Sequence, residues 1–148
     1  VHEMVQKLDQ EALVTYHPYR GVTLTEEGEE EARALLRKHR LWERFLRDIL
    51  DISWDEAHVI AGNLEHAAPE KVAERLARFL GEPESCPHGG PIPPAHRVAT
   101  EQCLASLEMG AQGRVTRISP ETAARLQRLR ALGLLPGTQL RIVNQVEA

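Results

Sequence analysis

Apolar side chains recur along most of the chain with the helical spacing of three and four residues, which predicts a mainly helical protein. The spacing over residues 1–8 predicts a first short helix. Residues 13–16 and 22–24 are short strand candidates on either side of a turn, which predicts a β-hairpin. A long helix follows, with Thr25 as its expected N-cap and an apolar face that continues to about Leu50.

The pattern then predicts two more helices and an irregular segment. Ser53 and Glu56 have the spacing of a capping box, so the next helix is expected to begin at about Trp54. Pro69 is typical of the first turn of the helix after that. Residues 81–104 contain so many Pro and Gly residues that regular structure is excluded over most of them, and we interpret them as a linker.

Residues 105–148 predict a smaller, β-rich unit. Residues 113–118 alternate like a strand, a helix begins near residue 119 and ends at Gly133, and residues 139–143 predict a second strand. Two strands and one helix cannot close a core by themselves. We therefore expect this unit to be incomplete.

Composition limits the class of protein. The 148 residues are 42% hydrophobic and 27% charged, which indicates a globular chain with one domain or two small ones. Two cysteines, no signal peptide and no apolar run of membrane-spanning length favour the cytoplasm, where no structural disulfide is expected. The net charge of −4 is not the basic signature typical of nucleic-acid-binding proteins.

Metal-ligand side chains occur within two of the predicted helices. Because a helix turns about 100° per residue, His39 and Glu43 share one face. In the next helix His58 and Glu65 lie within about 20° of each other, with His66 about 80° further round. An apolar stripe already provides the core contacts of that helix, so its polar face needs another explanation. Imidazoles mixed with carboxylates favour a divalent transition metal over Ca²⁺ or Mg²⁺.

The same residue types allow other interpretations. A single histidine on an apolar face, such as His39, is more often a hydrogen-bonded core residue than a ligand. Histidine and carboxylate ligands also describe metal-dependent hydrolases, although neither a nucleophile elbow nor an H-E-x-x-H motif is present. A zinc-stabilised interaction module would instead use Cys86, His88, His96 and Cys103, although they form no C-x-x-C pair.

The order of elements and several motifs resemble the DtxR/MntR family of metal-dependent transcriptional repressors. The resemblance covers residues 1 to about 95, through V-x-x-M-V-x-x-L followed by ALV, LTEEG, RKHRLWERFL, the pair Glu65-His66 and CPHGGPIP. In the C-terminal part, LGLLPG-x-x-LRIV resembles an SH3-like domain of the FeoA type.

The resemblance implies a mainly α fold with three parts. Residues 1–24 would be the recognition helix and wing of an incomplete winged helix-turn-helix domain. Residues 25–80 would be a helical metal-binding and dimerisation domain, and residues 105–148, after the linker 81–104, an incomplete SH3-like domain. Val1 would begin the recognition helix, so the helices that precede it in the family are expected to be missing and sequence-specific DNA binding to be lost without them.

Six positions match metal ligands of the family. The helical residues His39, Glu43 and His58 and the C-terminal carboxylate Glu121 correspond to ligands of an ancillary site. The adjacent pair Glu65-His66 corresponds to ligands of the primary, DNA-activating site. Gly62 stands where iron-responsive members have Cys and manganese-responsive members have Glu, so the choice between Fe²⁺ and Mn²⁺ stays open.

The resemblance also implies a DNA contact surface. Val1, Met4, Val5 and Leu8 are expected to pack inward, which leaves the polar side of the first helix facing a major groove. The residues on that side are His2, Glu3, Gln6 and Lys7. The sequence therefore predicts a cytoplasmic metal sensor rather than an enzyme, one that uses Mn²⁺ or Fe²⁺ to repress metal-homeostasis genes as a homodimer on operator DNA.

Overall fold

Helices dominate the computed structural model, which describes residues 2–94 and 101–144 and, for His2, the backbone only. The elements in chain order are α1 His2–Gln10, β1 Val14–His17, β2 Gly21–Leu24, α2 Glu26–Asp48, α3 Trp54–Ala67, α4 Glu70–Phe79, a 3₁₀ turn Leu104–Ser106, β3 Gln112–Arg114, α5 Ala123–Ala131 and β4 Gln139–Arg141. The prediction of a mainly helical protein is confirmed. Within the two described ranges, every helix is too short or too polar to cross a membrane.

Strands β1 and β2 form the predicted hairpin, in which Val14 lies opposite Leu24. Val14 is buried, and the backbone N–H of Tyr16 donates to Asp9 Oδ1 at 3.0 Å. The hairpin is therefore tied to the end of α1.

The inward face predicted for α1 is only partly formed. Val5 and Leu8 are half-buried, but Met4 is 63% exposed, and Val1 lies outside the described residues. The expectation for Met4 is wrong because α1 packs mainly against β1. Strand β1 is narrow and covers only Val5 and Leu8, which leaves Met4 in solvent.

Helix α2 begins as predicted, with Thr25 as its N-cap. The Thr25 hydroxyl oxygen accepts a hydrogen bond from the backbone N–H of Gly28 at 3.0 Å. At Gly28 the helix lies directly on the backbone just before β1, since an added Cβ would be 1.8 Å from the carbonyl oxygen of Leu13. The first turn of α2 therefore needs a residue without a side chain.

Replacing Gly28 by Ala is expected to destabilise the fold by about 1–3 kcal/mol, because the new methyl group would overlap the Leu13 carbonyl. Urea denaturation measures the change. The matched control is Gly62→Ala on α3, where nothing lies within 4 Å of an added Cβ. That variant should be neutral or up to about 1 kcal/mol more stable, since Ala favours helix over Gly. Equal losses in both variants would argue against the close contact at Gly28.

Helix α2 has two apolar sides. One side packs against α4 and the segment that follows it, in a buried cluster of Leu41, Ala73, Leu76, Ala77 and Ile92. The other side packs against α3, with Leu46, Ala57 and Ala61 buried and with Ile60 and Leu64 partly buried beside them. The apolar stripe predicted for α3 is therefore confirmed.

The boundaries of α3 and α4 differ slightly from the prediction. Helix α3 begins at Trp54 as expected, but the capping box is not formed. The Ser53 hydroxyl donates to the Glu56 carboxylate instead of accepting a backbone N–H. A hydrogen bond to an ionised acceptor is the stronger of the two choices. Pro69 is the N-cap of α4 rather than a residue of its first turn.

Much of the segment interpreted as a linker is packed into the protein. Residues 84–92 contain no helix or extended strand, but Cys86, His88 and Ile92 are almost completely buried. The backbone folds back on itself, and the N–H of Cys86 donates to the carbonyl of Gly90 at 2.8 Å. Pro and Gly exclude regular structure, but they are compatible with a tight turn that satisfies its own backbone groups.

In the C-terminal part β3 and β4 pair in antiparallel fashion, and both are shorter than predicted. The ladder continues to Val115, whose N–H donates to the carbonyl of Thr138 at 2.9 Å. At Ile118 the N–H donates instead to the carbonyl of His88 at 3.0 Å. The chain leaves the sheet because it is bound to the buried turn.

Helix α5 completes this unit against α3. It starts at Ala123, later than predicted, and ends at Ala131, two residues before Gly133, which has a φ of +70°. Leu126 of α5 and Ile118 are buried against Trp54, the first residue of α3. Arg130 Nη1 also lies 2.8 Å from Asp55 Oδ1. The core of the C-terminal unit is therefore closed by a residue of the helical part.

Candidate metal centre

Five of the six predicted ligands lie on α2 and α3, and three of these meet where the two helices pack together. His39 and Glu43 lie one turn apart on α2, with His39 Nε2 2.9 Å from Glu43 Oε1. From α3, the Nδ1 atom of His58 lies 2.8 Å from Glu43 Oε1 and 3.1 Å from His39 Nε2. We call His39, Glu43 and His58 the helical group.

Glu43 also belongs to a second set of donors, the turn group, which contains Cys86, His88 and Glu121 as well. His88 Nδ1 lies 3.2 Å from Glu43 Oε1, 3.8 Å from Cys86 Sγ and 3.9 Å from Glu121 Oε2. Within each group, one donor atom per residue lies within 4.8 Å of all the others. The structure thus brings Glu121 to Glu43.

A tight turn positions Cys86 and His88. The N–H of Gly89 donates to the carbonyl of Cys86 at 2.9 Å, and Gly89 has a φ of +82°, which glycine adopts most readily. A Cβ at Gly89 would lie 1.9 Å from the carbonyl oxygen of Thr116. The turn therefore packs backbone to backbone against the C-terminal unit, where Glu121 is located.

A hydrogen bond to the backbone fixes which nitrogen of His88 can bind a cation. His88 Nε2 lies 3.0 Å from the carbonyl oxygen of Trp54. A carbonyl can only accept, so Nε2 carries the hydrogen, and the lone pair of the neutral ring is on Nδ1. Nδ1 is the atom that faces the turn group.

Glu65 fixes which ring nitrogen of His39 carries the hydrogen, as the Trp54 carbonyl does for His88. Glu65 Oε2 lies 2.6 Å from His39 Nδ1 and accepts its hydrogen, which leaves the lone pair on Nε2 within the helical group. A carboxylate behind a histidine is the arrangement that orients metal-binding imidazoles. The other Glu65 oxygen lies 3.2 Å from His66 Nε2, and the His66 side chain is 68% exposed. The predicted pair Glu65-His66 is therefore in contact but lies behind His39.

This arrangement directs several lone pairs at one carboxylate oxygen. Nε2 of His39 and Nδ1 of His88 both face Glu43 Oε1, and His58 Nδ1 lies beside them. Lone pairs that face each other repel unless a proton or a cation lies between them. Separations of 2.8–3.2 Å match the distance of about 3.0 Å between neighbouring ligands around an octahedral ion bound at about 2.1 Å. The donor set therefore fits a divalent transition metal.

Glu43 is completely buried. Burial alone would raise the pKa of its carboxyl group, but contact with the imidazoles of His39, His58 and His88, which stabilise the ionised carboxylate when they carry a proton, outweighs burial and holds that pKa well below its usual range. Its second oxygen, Oε2, is buried without a hydrogen-bond partner among the described residues. A buried ionised oxygen without a partner is costly, which is a second reason to expect a cation here.

The neighbouring groups respond to the same carboxylates. Burial would lower the pKa of the His88 imidazole, but contact with Glu43 and Glu121 outweighs burial and raises it. Burial raises the pKa of the Cys86 thiol, and the same two carboxylates raise it further. Cys86 therefore stays a neutral thiol unless a cation stabilises its thiolate.

Arg40 holds Glu121 in place from the opposite side. Its guanidinium lies 3.6 Å from Glu121 Oε1 and donates to the carbonyl of Pro91. A Cβ at Gly90 would lie 2.8 Å from this guanidinium. The carboxylate of Glu121 is thus shared between Arg40 and the turn group.

The predicted DNA-contact residues lie on α1. Glu3, Gln6 and Lys7 are exposed, and Lys7 Nζ lies 3.9 Å from a carboxylate oxygen of Glu11. The side chain of His2 lies outside the described residues.

Cys86 and His88 are the residues that sequence reasoning missed at this centre, because it considered them only for a separate zinc module. Cys103 is exposed and belongs to neither group within residues 2–94 and 101–144, and His96 lies outside those ranges. The signal that could have found them is the C-P-H-G motif, in which a turn places donors two residues apart on one side.

Two protein families match the sequence. The family described as "Iron dependent repressor, metal binding and dimerisation domain" matches residues 25–94, and the FeoA domain matches residues 102–147.

Proteins named as transcriptional repressors are among the similar proteins. The iron-dependent repressor IdeR of Mycobacterium tuberculosis is 39% identical over 93 residues, which are 63% of this chain but only 40% of that protein. The diphtheria toxin repressor of Corynebacterium glutamicum is 29% identical over 98% of this chain and 69% of its own length. A solved structure of a manganese-dependent transcriptional repressor complexed with manganese has 34% identity and a TM-score of 0.87, and the match covers 98% of this chain and 68% of that one.

Proposed function

The chain belongs to the DtxR/MntR family of metal-dependent transcriptional repressors, and we propose that it acts as a sensor for Mn²⁺ or Fe²⁺ that represses metal-homeostasis genes. Two of the matched relatives are named as repressors that depend on iron and on manganese. The observation that carries the proposal is the buried Glu43 carboxylate, which faces three imidazoles and has one oxygen without a partner among the described residues.

We assign metal binding to the helical group, the turn group and the pair Glu65-His66. The ion would lie between the lone pairs that converge on Glu43 and would remove their mutual repulsion. The protein's part is to hold the donors rigidly, through Glu65 behind His39 and through the Trp54 carbonyl behind His88. Because the donors come from α2, α3, the buried turn and the C-terminal unit, their joint ligation would fix these parts relative to one another.

The remaining parts of the chain are assigned by their place in the family. Residues 1–24 would be a recognition helix and wing, with Glu3, Gln6 and Lys7 facing DNA; the exposed side of α1 and the β1–β2 hairpin support this. Residues 25–80 would be the metal-binding and dimerisation domain, and residues 105–148 the SH3-like domain, supported by the FeoA match. Such a repressor acts on DNA in the cytoplasm.

Dimerisation through residues 25–80 is expected because α3 and α4 carry exposed apolar side chains. Val59 is 51% exposed and Phe79 66% exposed, whereas Ile60 and Leu64 are partly buried within the chain. Sedimentation should give a dimer at micromolar concentration, and Phe79→Asp should shift it toward monomer. Tyr19→Asp, at the fully exposed hairpin tip, is the control. A wild-type monomer would rule out this interface.

Metal-dependent DNA binding is the test of the function. Protein expressed from its natural gene would be used to select fragments of its own genomic DNA, and the affinity for a selected fragment would be compared with Mn²⁺, with Fe²⁺ and with a chelator. A coupling of about 1–3 kcal/mol predicts 5- to 150-fold tighter binding with metal. One salt concentration must be used throughout, because the affinity of proteins for DNA depends strongly on salt.

Two variants make that comparison specific. Glu65→Ala should reduce the effect of metal, because His39 loses the acceptor that orients it. Glu74→Ala removes an exposed carboxylate of α4 and should leave the effect unchanged. Equal affinity with metal and with chelator in the wild-type protein would reject the proposed function, even if metal is bound.

A further inference from the structure

A cavity of about 450 Å³ lies where the helical part of the chain meets the C-terminal unit. Its walls are the end of α2, the start of α3, the buried turn and the connection from α5 to β4. We propose that this cavity binds a small organic carboxylate with an apolar body. The inference goes beyond the proposed function, because the side chains that would hold this ligand belong to neither metal-donor group.

Trp54 lines the cavity and indicates a ligand that accepts a hydrogen bond. Its side chain is only 5% exposed, and its indole N–H has no acceptor among the described residues. A buried donor without a partner is costly, and nearly all such donors in proteins are paired. An acceptor oxygen bound in the cavity would remove that cost.

Two arginines supply positive charge to the cavity. Arg47 at the end of α2 and Arg130 at the end of α5 both line it, and both side chains are about half exposed. Nη1 of Arg47 lies 2.9 Å from Asp51 Oδ1. Nη1 of Arg130 lies 2.8 Å from Asp55 Oδ1. A guanidinium carries several N–H donors in a planar fork, so each arginine can keep its aspartate and still donate to a carboxylate.

The start of α3 contributes partial positive charge. Ser53 is the N-cap of this helix and lines the cavity, but its hydroxyl donates to the Glu56 carboxylate. The first turn therefore has no side-chain cap. N–H groups at the start of a helix favour an anion when no side chain satisfies them.

The charges around the cavity favour a ligand with a single negative charge. The two arginines are balanced by Asp51 and Asp55, and Glu56 adds a further carboxylate in the first turn of α3. A doubly charged phosphate would be repelled by these three carboxylates. A monocarboxylate is repelled less and needs only N–H donors, which the arginines and Trp54 provide.

The rest of the cavity is apolar, which gives the ligand its second feature. Pro87, Leu135 and Pro136 line it together with Trp54. The Trp54 ring is held from behind by the ring of His88, with the two centroids 5.0 Å apart. An apolar wall with a few polar groups, in a volume of about 300–1,000 Å³, is typical of small-molecule sites.

A titration followed through the NMR signals of the indole N–H groups tests the site. The full chain, stripped of metal and desalted, would be titrated with sodium benzoate, hexanoate or acetate. The chain has two tryptophans, so Trp54→Phe identifies the Trp54 signal. Benzoate and hexanoate should shift that signal and not the signal of Trp42, with half-saturation at about 1 mM. Acetate lacks an apolar body and should bind at least about tenfold more weakly.

Two further probes separate the ligand classes at constant ionic strength. Benzamide has the body of benzoate without its charge, and inorganic phosphate has charge without an apolar body. Neither should shift the Trp54 signal at concentrations up to about 20 mM. A response to benzamide equal to that of benzoate, or a response to phosphate alone, would overturn the carboxylate proposal. So would the absence of a shift with benzoate, hexanoate and acetate alike.

A pair of variants shows whether the arginines act locally. Arg47→Gln should weaken benzoate binding at least about tenfold, and because Arg47 is half exposed the fold should be kept. Arg128→Gln on α5 removes the same charge from an exposed side chain outside the cavity and should leave the affinity within about twofold. Equal weakening in both variants would mean that benzoate responds only to net charge, which would overturn the site. No step uses metal or DNA, so failure here leaves the proposed function standing.

Discussion

Replacing Glu43 by Gln is expected to weaken divalent-metal binding by more than about 100-fold. Glu43 contributes to both donor groups, and an amide of the same shape is neutral and carries hydrogens on one of its two polar atoms. Loss of a residue that merely orients a ligand typically costs 10- to 100-fold in metal affinity, so loss of the shared ligand should cost at least as much. Calorimetric titration of the chelator-treated protein with Mn²⁺ measures the change.

The matched control is Glu74→Gln on α4. It removes the same charge from an exposed position and should leave the affinity within about twofold. Circular dichroism of both variants without metal separates loss of a ligand from loss of the fold. If Glu43→Gln binds Mn²⁺ within tenfold of wild type, the convergence of donors on Glu43 has no role in metal binding.

Replacing Gly89 by Ala is expected to cost about 2–5 kcal/mol of stability. Two effects combine there. The φ of +82° is strained for any residue with a Cβ, and that Cβ would lie 1.9 Å from the Thr116 carbonyl oxygen. The turn would have to move away from the C-terminal unit, so the hydrogen bond between Ile118 N–H and the His88 carbonyl should also be lost. Urea denaturation without metal measures the loss.

Gly137→Ala separates the two effects. Gly137 has a φ of +94°, and nothing lies within 4 Å of an added Cβ. It should therefore show the conformational cost alone, about 1–2 kcal/mol. Equal losses at Gly89 and Gly137 would mean that the turn does not pack against Thr116 as described.

Local patterns along the sequence predicted the helices and one side of the metal centre. Thr25 and the apolar repeat gave the start of α2, and the spacing of His39 and Glu43 follows from helix geometry alone. That His58 meets Glu43 depends on how α2 and α3 are aligned. The periodicity of each helix gives the direction of its apolar face but not its shift along the neighbouring helix.

Local sequence patterns could not predict contacts between segments that are distant along the chain. Cys86 and His88 lie in a Pro- and Gly-rich segment that has no period, so its burial could not be inferred from pattern. At Met4 the local pattern predicted burial that the structure does not show. Its spacing fits an apolar face, but spacing cannot tell whether a neighbour is wide enough to cover it.

The packing of Trp54 against Ile118 and Leu126 affects how this chain can be recombined with its relatives. The two family matches divide the sequence between residues 94 and 102, yet the core of the second segment includes a side chain from the first. A chimaera joined between the two matches would replace half of a shared core with a surface that evolved against another partner. Grafts that exchange Trp54 and Asp55 together with the C-terminal unit keep both the apolar contact and the Asp55–Arg130 ion pair. A segment exchanged between relatives must therefore be larger than the segment that matches the FeoA domain.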